Sequence, residues 1–500
     1  MSQRTARRLL FGMAVFWLSL FVLSPLTREY AQLSFSGDDS AYRFYEDFII
    51  QPQKSLLVFK SAALAVLLLL FKNSRENGCT FPTHFLYGLY SFSAICILFW
   101  WPSALGVFAL LLLLGYPWKA KELPPEKQRW TLFSLLAVSL LLRLEKLPNV
   151  CAAPLQSDSE QYLRLSQGLT WLYDTQHREP LLAWIDRLLT FFFPVPDTLA
   201  VTGYLPIRIF TILLSCAVSV MVYRIGSRFF SHQTAFIAAL AAAVNKAIIY
   251  RSLQGLREEL LIISILSVAG LALTASQKPG TFRRGISWGL ASGCLLLVRT
   301  ACLPYVLFAC TWAWWRGHRA WKECVISTLV CFLLAAPYYI YCKIEFGDPM
   351  YSGNYHVNKF YYMTIFNTGS PDTSKVPYVS PTQLMFHIYP WYKTAALTLE
   401  GIADTLVGRF AFRLFYLPFS AFFIACSAVG YVRWLFDPKK RGWLVMMLLL
   451  LGPMAFILAM LNHSPVVFDW RTVLHLFPFM AYAASDGFFY LLERARFISE

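Results

Sequence analysis

Residues 259–275 read ELLIISILSVAGLALTA, an apolar run whose single charged residue stands at its start. About 20 such residues cross the hydrocarbon core of a bilayer as a helix. Similar runs recur along the chain, for example at 62–71, and 57% of the 500 residues are hydrophobic while only 14% are charged. Soluble domains carry about 25% charged residues, so the composition excludes a water-soluble surface for most of the chain.

The apolar runs predict helices, because backbone groups in lipid have to be satisfied within their own segment and the alternation of membrane strands is absent. We therefore predict an all-α, polytopic transmembrane helical bundle of about fourteen spans. The predicted spans are 9–27, 55–71, 82–99, 103–117, 130–145, 206–223, 234–250, 259–275, 285–298, 301–315, 324–342, 411–432, 443–461 and 472–491. The first is predicted to be an uncleaved anchor, since no A-x-A cleavage site follows it.

The net charge of +16 comes from short basic clusters that lie between the apolar runs. Such clusters mark cytoplasmic loops and do not form the single stripe of a nucleic-acid-binding surface, so no nucleic-acid partner is expected. With a cytoplasmic amino terminus, every cytoplasmic loop is basic. Two long segments, 146–205 and 343–410, are then on the outer side.

The first long outer segment predicts amphipathic helices that lie on the membrane surface. Its apolar residues recur at helical spacing: Tyr162, Leu165 and Leu169, followed by Leu181, Trp184 and Leu188. The eleven cysteines lie mostly in or beside apolar runs, without metal-ligand spacing, and we interpret them as buried thiols.

Short motifs follow in order from the end of the fifth predicted span. The chain reads SDSEQYL at 157–163 and HREPL at 177–181, then YRSLQGLREEL at 250–260 and LVRT at 297–300. These resemble the outer loops and the Leu-x-Arg turn of the GT-C glycosyltransferases, in particular bacterial family-39-like members. Those enzymes use polyprenyl-phosphate or dolichyl-phosphate sugars.

The resemblance covers roughly 130–320 well and 460–495 loosely, where Asp469-Trp470-Arg471 precedes Phe477-Pro478. It implies a GT-C-like catalytic transmembrane core at 126–345, which includes the outer loop 146–205. Residues 1–125 would be transmembrane helices without a counterpart, and residues 346–500 would add an outer loop and further transmembrane helices.

Transfer of a sugar from a lipid phosphate requires a carboxylate that orients or deprotonates the acceptor, and cations that stabilise the leaving phosphate. The catalytic candidates are Asp158, Glu160 and Glu258, with Asp158 as the base. The substrate-binding candidates are Tyr162, Arg178, Glu179, Arg257, Arg299 and Arg471. Each has a structural alternative: a helix cap for Asp158, a solvated helix face for Glu160, an arginine partner for Glu258, and contact with lipid headgroups for the arginines.

The expected activity is a membrane glycosyltransferase that moves a sugar from a polyprenyl-phosphate carrier to a glycan, lipid or protein acceptor. We predict no metal or other cofactor, and a location in a bacterial inner membrane with the active site facing the periplasm. The adjacent Asp38-Asp39 pair is a rival first-loop motif. Two other functions stay open: an O-antigen polymerase or ligase, and a transporter or flippase of a lipid-linked solute, which would place charges deep within its spans. Lys246 is the nearest such charge that the sequence offers.

Overall fold

The structure is a computed structural model, and it describes 124–151, 155, 158–170, 172–175, 178–195, 204–278, 280–317, 320–355, 390–406, 417–462 and 470–494. Within these ranges all regular structure is helical, which confirms the all-α prediction for this part of the chain. The four predicted spans before residue 118 and the Asp38-Asp39 pair lie outside the described residues.

Helices make up the described part of the bundle. They are α1 Pro125–Cys151, α2 Asp158–Gly168, α3 Pro180–Phe192, α4 Leu205–Phe229, α5 His232–Val244, α6 Lys246–Ser252, α7 Glu258–Gln277, α8 Phe282–Val298, α9 Leu303–Arg316, α10 Trp321–Phe346, α11 Trp391–Leu406, α12 Leu417–Phe436, α13 Arg441–Asn462 and α14 Phe477–Arg494. Short 3-10 helices at Thr300–Cys302 and Trp470–Leu476 precede α9 and α14.

Among the described residues, three helices, α4, α7 and α10, are long and apolar enough to cross a membrane by length and composition. Large apolar side chains also face outward from the bundle, such as Ile344, which is 79% exposed. Outward apolar surface of this kind fits a lipid environment. The total of about fourteen spans stays a prediction.

Helices α8 and α10 pack closely along a glycine face of α8. Gly285, Gly289 and Gly293 stand four residues apart on one face of α8. A Cβ added at Gly289 would lie 2.5 Å from the Cβ of Val330 and 2.7 Å from the carbonyl oxygen of Ser327. Small residues at this spacing allow two helix backbones to approach closely.

The prediction of one continuous helix over 234–250 is wrong, because the chain breaks at Asn245. Asn245 has an extended backbone, and its side-chain oxygen accepts a hydrogen bond from the Ile248 amide at 3.1 Å, as an N-cap does. The break leaves carbonyl groups at the end of α5 that need partners from other helices.

A polar seam, which we define as Ser139, Arg143, Thr211, Ser215 and Ser219, supplies such partners from α1 and α4. The Arg143 guanidinium is fully buried. It donates hydrogen bonds to the Ser215 hydroxyl at 2.9 Å and to the Ala243 carbonyl at 3.1 Å, and a third to the Ser139 carbonyl of its own helix. Thr211 donates to the Ser252 carbonyl at 2.6 Å. The seam therefore stabilises the interrupted helix within the bundle.

Candidate functional site

The site is built on two short helices of the segment 146–205, α2 and α3, which pack against each other. Helix α3 begins with Pro180, whose fixed φ angle favours a first helical turn. Leu182 and Ala183 of α3 face Tyr162 and Leu163 of α2 in one apolar cluster. The motif residues before Pro180 and at the start of α2 are thereby held close together.

Asp158, at the first residue of α2, forms an ion pair with Arg178. The Asp158 Oδ1 and Arg178 Nη2 atoms are 2.6 Å apart. Arg178 also donates from Nε to the Gln161 side-chain oxygen at 3.2 Å, and its own carbonyl accepts a hydrogen bond from the Thr175 hydroxyl at 2.6 Å. The guanidinium is thus held at a fixed place, and it orients the Asp158 carboxylate.

Glu179 is buried and ties the outer segment to two helix ends of the bundle. Its carboxylate forms an ion pair with Arg257, the residue that precedes α7. It also accepts a hydrogen bond from the backbone amide of Thr300, just after α8, at 3.3 Å. Arg257 in turn donates to the Val298 carbonyl at 3.1 Å. Burial disfavours the charge on Arg257, but the Glu179 carboxylate raises its pKa above the ordinary value.

Tyr162 lies between the two ion pairs. Its hydroxyl accepts a hydrogen bond from Arg257 at 2.9 Å, and the guanidinium carbons of Arg178 and Arg257 lie 5.5 Å and 5.9 Å from the ring centroid. Burial raises the pKa of Tyr162 to about 12, so the phenol keeps its proton. The ring holds the two arginines at a fixed separation through cation–π contacts.

Arg299 differs from these two arginines. It is half-buried at the end of α8, and within the described part of the chain its guanidinium makes neither a hydrogen bond nor an ion pair. Burial and the positive charge of Arg257 both lower the pKa of Arg299. A cation with no carboxylate partner beside a second cation attracts an anion.

The other predicted residues are placed as follows. Glu258 is buried at the start of α7, and its Oε2 atom has no hydrogen-bond partner among the described residues. Glu160 lies on the exposed face of α2, where it pairs with Arg164 at 2.5 Å, and the described contacts do not join it to the network. Arg471 lies in the 3-10 helix Trp470–Leu476, and its side chain is outside the described structure.

Sequence reasoning missed several participants. Gln161 and Thr300 lie within the quoted motifs, but the sequence did not indicate that an amide side chain and a backbone amide would join the network. Tyr338 of α10 donates its hydroxyl to the Arg178 carbonyl at 3.3 Å. His475 is buried near Arg299, and neither of its ring nitrogens has a partner among the described residues. The only sequence feature that marked His475 is its position as a histidine within an otherwise apolar stretch.

No group of three or more His, Cys, Asp or Glu residues is arranged to hold a metal ion in the described ranges. Metal dependence therefore stays a prediction. What the arrangement can do chemically follows from its charges. Asp158 is an oriented carboxylate, and Arg299 is a cation at the same end of the bundle that makes no ion pair with any described residue.

Known proteins offer little guidance to this site. No protein-family model matches the chain. No curated protein matches it either. Among solved structures, the chain is similar to the archaeal oligosaccharyltransferase AglB from Archaeoglobus fulgidus, which was solved in complex with an inhibitory peptide and a dolichol-phosphate. The two are 14% identical with a TM-score of 0.38, and the similarity covers 73% of this chain and 56% of that one. A likeness this distant assigns neither a family nor an activity.

Proposed function

We propose that the chain is a membrane glycosyltransferase that moves a sugar from a polyprenyl-phosphate carrier to an acceptor on the outer side of the membrane. The observation that supports this most is the Asp158–Arg178 ion pair, whose arginine shares the Tyr162 ring with Arg257. The positive charge of Arg257 acts in turn on Arg299, whose guanidinium makes no ion pair among the described residues.

The roles follow from the charges. The acceptor hydroxyl or amine attacks the anomeric carbon, the bond from that carbon to the phosphate oxygen breaks, and Asp158 takes the acceptor proton. Arg299 stabilises the negative charge that the departing phosphate retains. Arg178 and Arg257 already have carboxylate partners, so in this proposal they position the Asp158 carboxylate and the ends of α7 and α8.

Glu258 is the second carboxylate that belongs to this proposal. It is the first residue of α7, beside Arg257, and its charge acts on Arg299. A buried carboxylate oxygen without a partner is costly in a bundle. We assign to it the binding of a sugar hydroxyl, which would supply the missing donor. Arg471 stays a candidate for the phosphate, and Glu160 has no role in this scheme.

The test is the release of polyprenyl phosphate by the purified full-length protein from a panel of polyprenyl-phosphate hexoses and pentoses. Asp158→Asn should lower turnover by about 10²- to 10⁴-fold, which is the usual contribution of a general base. Arg299→Met should lower it by about 10²- to 10³-fold, with partial activity in Arg299→Lys. Asp38→Asn serves as the comparison, because Asp38 belongs to the rival motif.

Each rival function has its own outcome in the same experiment. Normal turnover by Asp158→Asn would refute the proposed base, and loss in Asp38→Asn alone would move the site to the first outer loop. Uptake of a solute into vesicles without any glycan product would favour the transporter. The buried Arg143 does not favour it, since this arginine bonds one hydroxyl and one carbonyl of neighbouring helices and one carbonyl of its own helix.

A further inference from the structure

One buried acid away from the candidate site holds two cations, and we call this group the Asp486 cluster. It consists of Asp486 in α14, Arg433 and Trp434 near the end of α12, and Lys440 in the turn between α12 and α13. The Asp486 carboxylate is buried, and its Oδ1 atom lies 2.7 Å from the Lys440 ammonium nitrogen and 3.2 Å from Arg433 Nη1. Its Oδ2 atom accepts a hydrogen bond from the Trp434 indole at 3.0 Å. The two cations are therefore held close together at a fixed place.

Helix α4 shows that the Asp486 cluster and the candidate site lie at opposite ends of the bundle. Near the start of α4, Arg208 donates to the Leu253 carbonyl at 2.6 Å, in the connection that leads to α7 and the site. At the other end, the Phe230 ring that follows α4 lies 5.5 Å from the Trp434 ring and 5.6 Å from the Lys440 ammonium. A helix of 25 residues rises about 38 Å. The cluster is thus a membrane thickness away from the site.

The cluster has more positive charge than its acid neutralises. One cation is enough to pair with a buried carboxylate, so the second is in excess. The Arg433 guanidinium also lies 4.9 Å from the centroid of the Tyr490 ring, and that of Arg494 lies 5.4 Å from the same centroid. Within the described residues, Arg433 donates its side-chain hydrogen bonds from Nη1 alone, both to Asp486. Its Nε and Nη2 groups are therefore available as donors to an anion.

Two further acids stand near the cluster in the sequence, Asp437 and Glu493. The Asp437 side chain accepts a hydrogen bond from the backbone amide of Lys439 at 2.9 Å, within the turn itself. Lys439 and Arg441 are exposed and add two further positive charges to the same turn. Cations thus outnumber acids around the cluster, and an anion is attracted to it.

Basic residues in loops between membrane helices also set the topology, and in that role they need no partner within the protein. The exposed Lys439 is of that kind. The side chains of Arg433 and Lys440 are different, because they are only 27% and 14% exposed and are fixed on a buried carboxylate. Such an arrangement orders two cationic donors in advance of binding, which is what a specific anion site requires.

The surface beside the cluster is apolar. Val432, Leu435 and Phe436, in the last turn of α12 with Arg433, are 58%, 51% and 75% exposed. Exposed apolar side chains next to ordered cations fit a molecule that has both hydrocarbon chains and an anionic group. A water-soluble phosphate would make no use of them.

From this geometry we propose that the Asp486 cluster binds the phosphate of an anionic phospholipid, in the leaflet at the end of the bundle opposite the candidate site. The phosphate oxygens accept hydrogen bonds from Arg433 and Lys440, and the acyl chains lie along the exposed apolar side chains of α12. Asp486 does not contact the lipid and acts by holding the two cations. The proposal goes beyond the proposed function and does not depend on it.

The first experiment compares Lys440→Met with Lys439→Met, since each removes one positive charge from the same turn but only Lys440 contacts Asp486. In Lys440→Met the buried acid keeps Arg433 as its partner. Electron spin resonance of spin-labelled phosphatidylglycerol, with the full-length protein in phosphatidylcholine membranes, measures the association constant relative to spin-labelled phosphatidylcholine. This relative constant should fall about fivefold or more in Lys440→Met and stay within about twofold in Lys439→Met.

Two results of this experiment would overturn the proposal. An equal fall in both variants would show a general attraction of basic residues to an anionic lipid. A wild type without preference for phosphatidylglycerol over phosphatidylcholine would show that no anionic lipid binds. Arg433→Gln, which leaves Asp486 paired with Lys440, provides a second variant and should lose as much preference as Lys440→Met.

A second measurement distinguishes a phospholipid from free phosphate. A ligand that binds only the folded protein raises the Tm. Phosphatidylglycerol added to the protein in a neutral detergent should therefore raise the Tm of the wild type, and the rise should be smaller in Lys440→Met, whatever the Tm of each protein without lipid. Inorganic phosphate at the same concentration should leave the Tm unchanged. An equal rise with inorganic phosphate would refute the phospholipid assignment, and so would an equal rise in both proteins.

Discussion

Two groups of buried arginines in this molecule have different partners. In the polar seam, Arg143 bonds a hydroxyl of α4, a carbonyl of α5 and a carbonyl of its own helix. In the site at α2 and α3, Arg178 and Arg257 bond the carboxylates of Asp158 and Glu179. The first arrangement satisfies the backbone at a helix break, and the second fixes two acids and leaves Arg299 without an ion pair among the described residues. The partners of a buried arginine thus show whether it stabilises the fold or prepares a site.

The largest effect should come from breaking the buried pair of the site at α2 and α3. Glu179→Gln leaves the Arg257 guanidinium buried without a carboxylate, and loss of one partner of a buried pair costs about 3 to 5 kcal/mol. The free energy of unfolding, measured by denaturant titration in detergent micelles, should fall by that amount. If Glu179→Gln has the same free energy of unfolding as the wild type, the Glu179 carboxylate does not stabilise the buried Arg257. The proposed difference between the two groups of arginines would then be wrong.

A smaller effect is expected in the polar seam. Arg143→Met removes a buried guanidinium and leaves the Ser215 hydroxyl and the Ala243 carbonyl without it, at about 1 to 3 kcal/mol for the unsatisfied groups. The same titration measures the loss, with the exposed Arg164→Met as control. Donor turnover per folded molecule should not change. A turnover defect in folded Arg143→Met would place this arginine in the mechanism instead.

Asp186 of α3 differs from the acids of the site, because it is buried and its Oδ1 atom has no partner among the described residues. Burial raises the pKa of Asp186 well above the ordinary value. The stabilisation that comes with the neutral side chain is therefore complete below about pH 4, where an unfolded Asp is also protonated, and it is lost as the pH rises through the raised pKa. Asp186→Asn should therefore be more stable than the wild type at pH 7, by about 1 to 3 kcal/mol.

That difference should disappear at low pH, where both side chains are neutral. Thermal unfolding of the two proteins at pH 7 and below pH 4 provides the measurement. A stability difference of the same size at both pH values would show that the asparagine acts through packing and that the acid has no unusual titration.

The smallest effect is expected on the exposed face of α2. Glu160→Gln breaks the surface pair with Arg164, which lies four residues along the helix. Such pairs contribute about 0.3 to 0.5 kcal/mol. Stability and donor turnover should both stay close to those of the wild type. A large loss of turnover would restore the catalytic role that the sequence resemblance implied for Glu160.

The sequence predicted most of the helices because lipid solvent demands long apolar runs, and their boundaries mostly agree with the structure within a few residues. It did not predict the break at Asn245, since the Asn245-Lys246 pair stands within an apolar run that is long enough for a continuous span. The break depends on carbonyl partners that α1 and α4 supply from distant positions. No local pattern records such partners.

For the site, the sequence selected the residue types and the end of the bundle, because acids and arginines are expensive near lipid and stand out from apolar runs. It treated Arg178, Arg257 and Arg299 alike. Only the tertiary structure separated them, since an ion pair depends on which side chains the fold brings within a few ångströms.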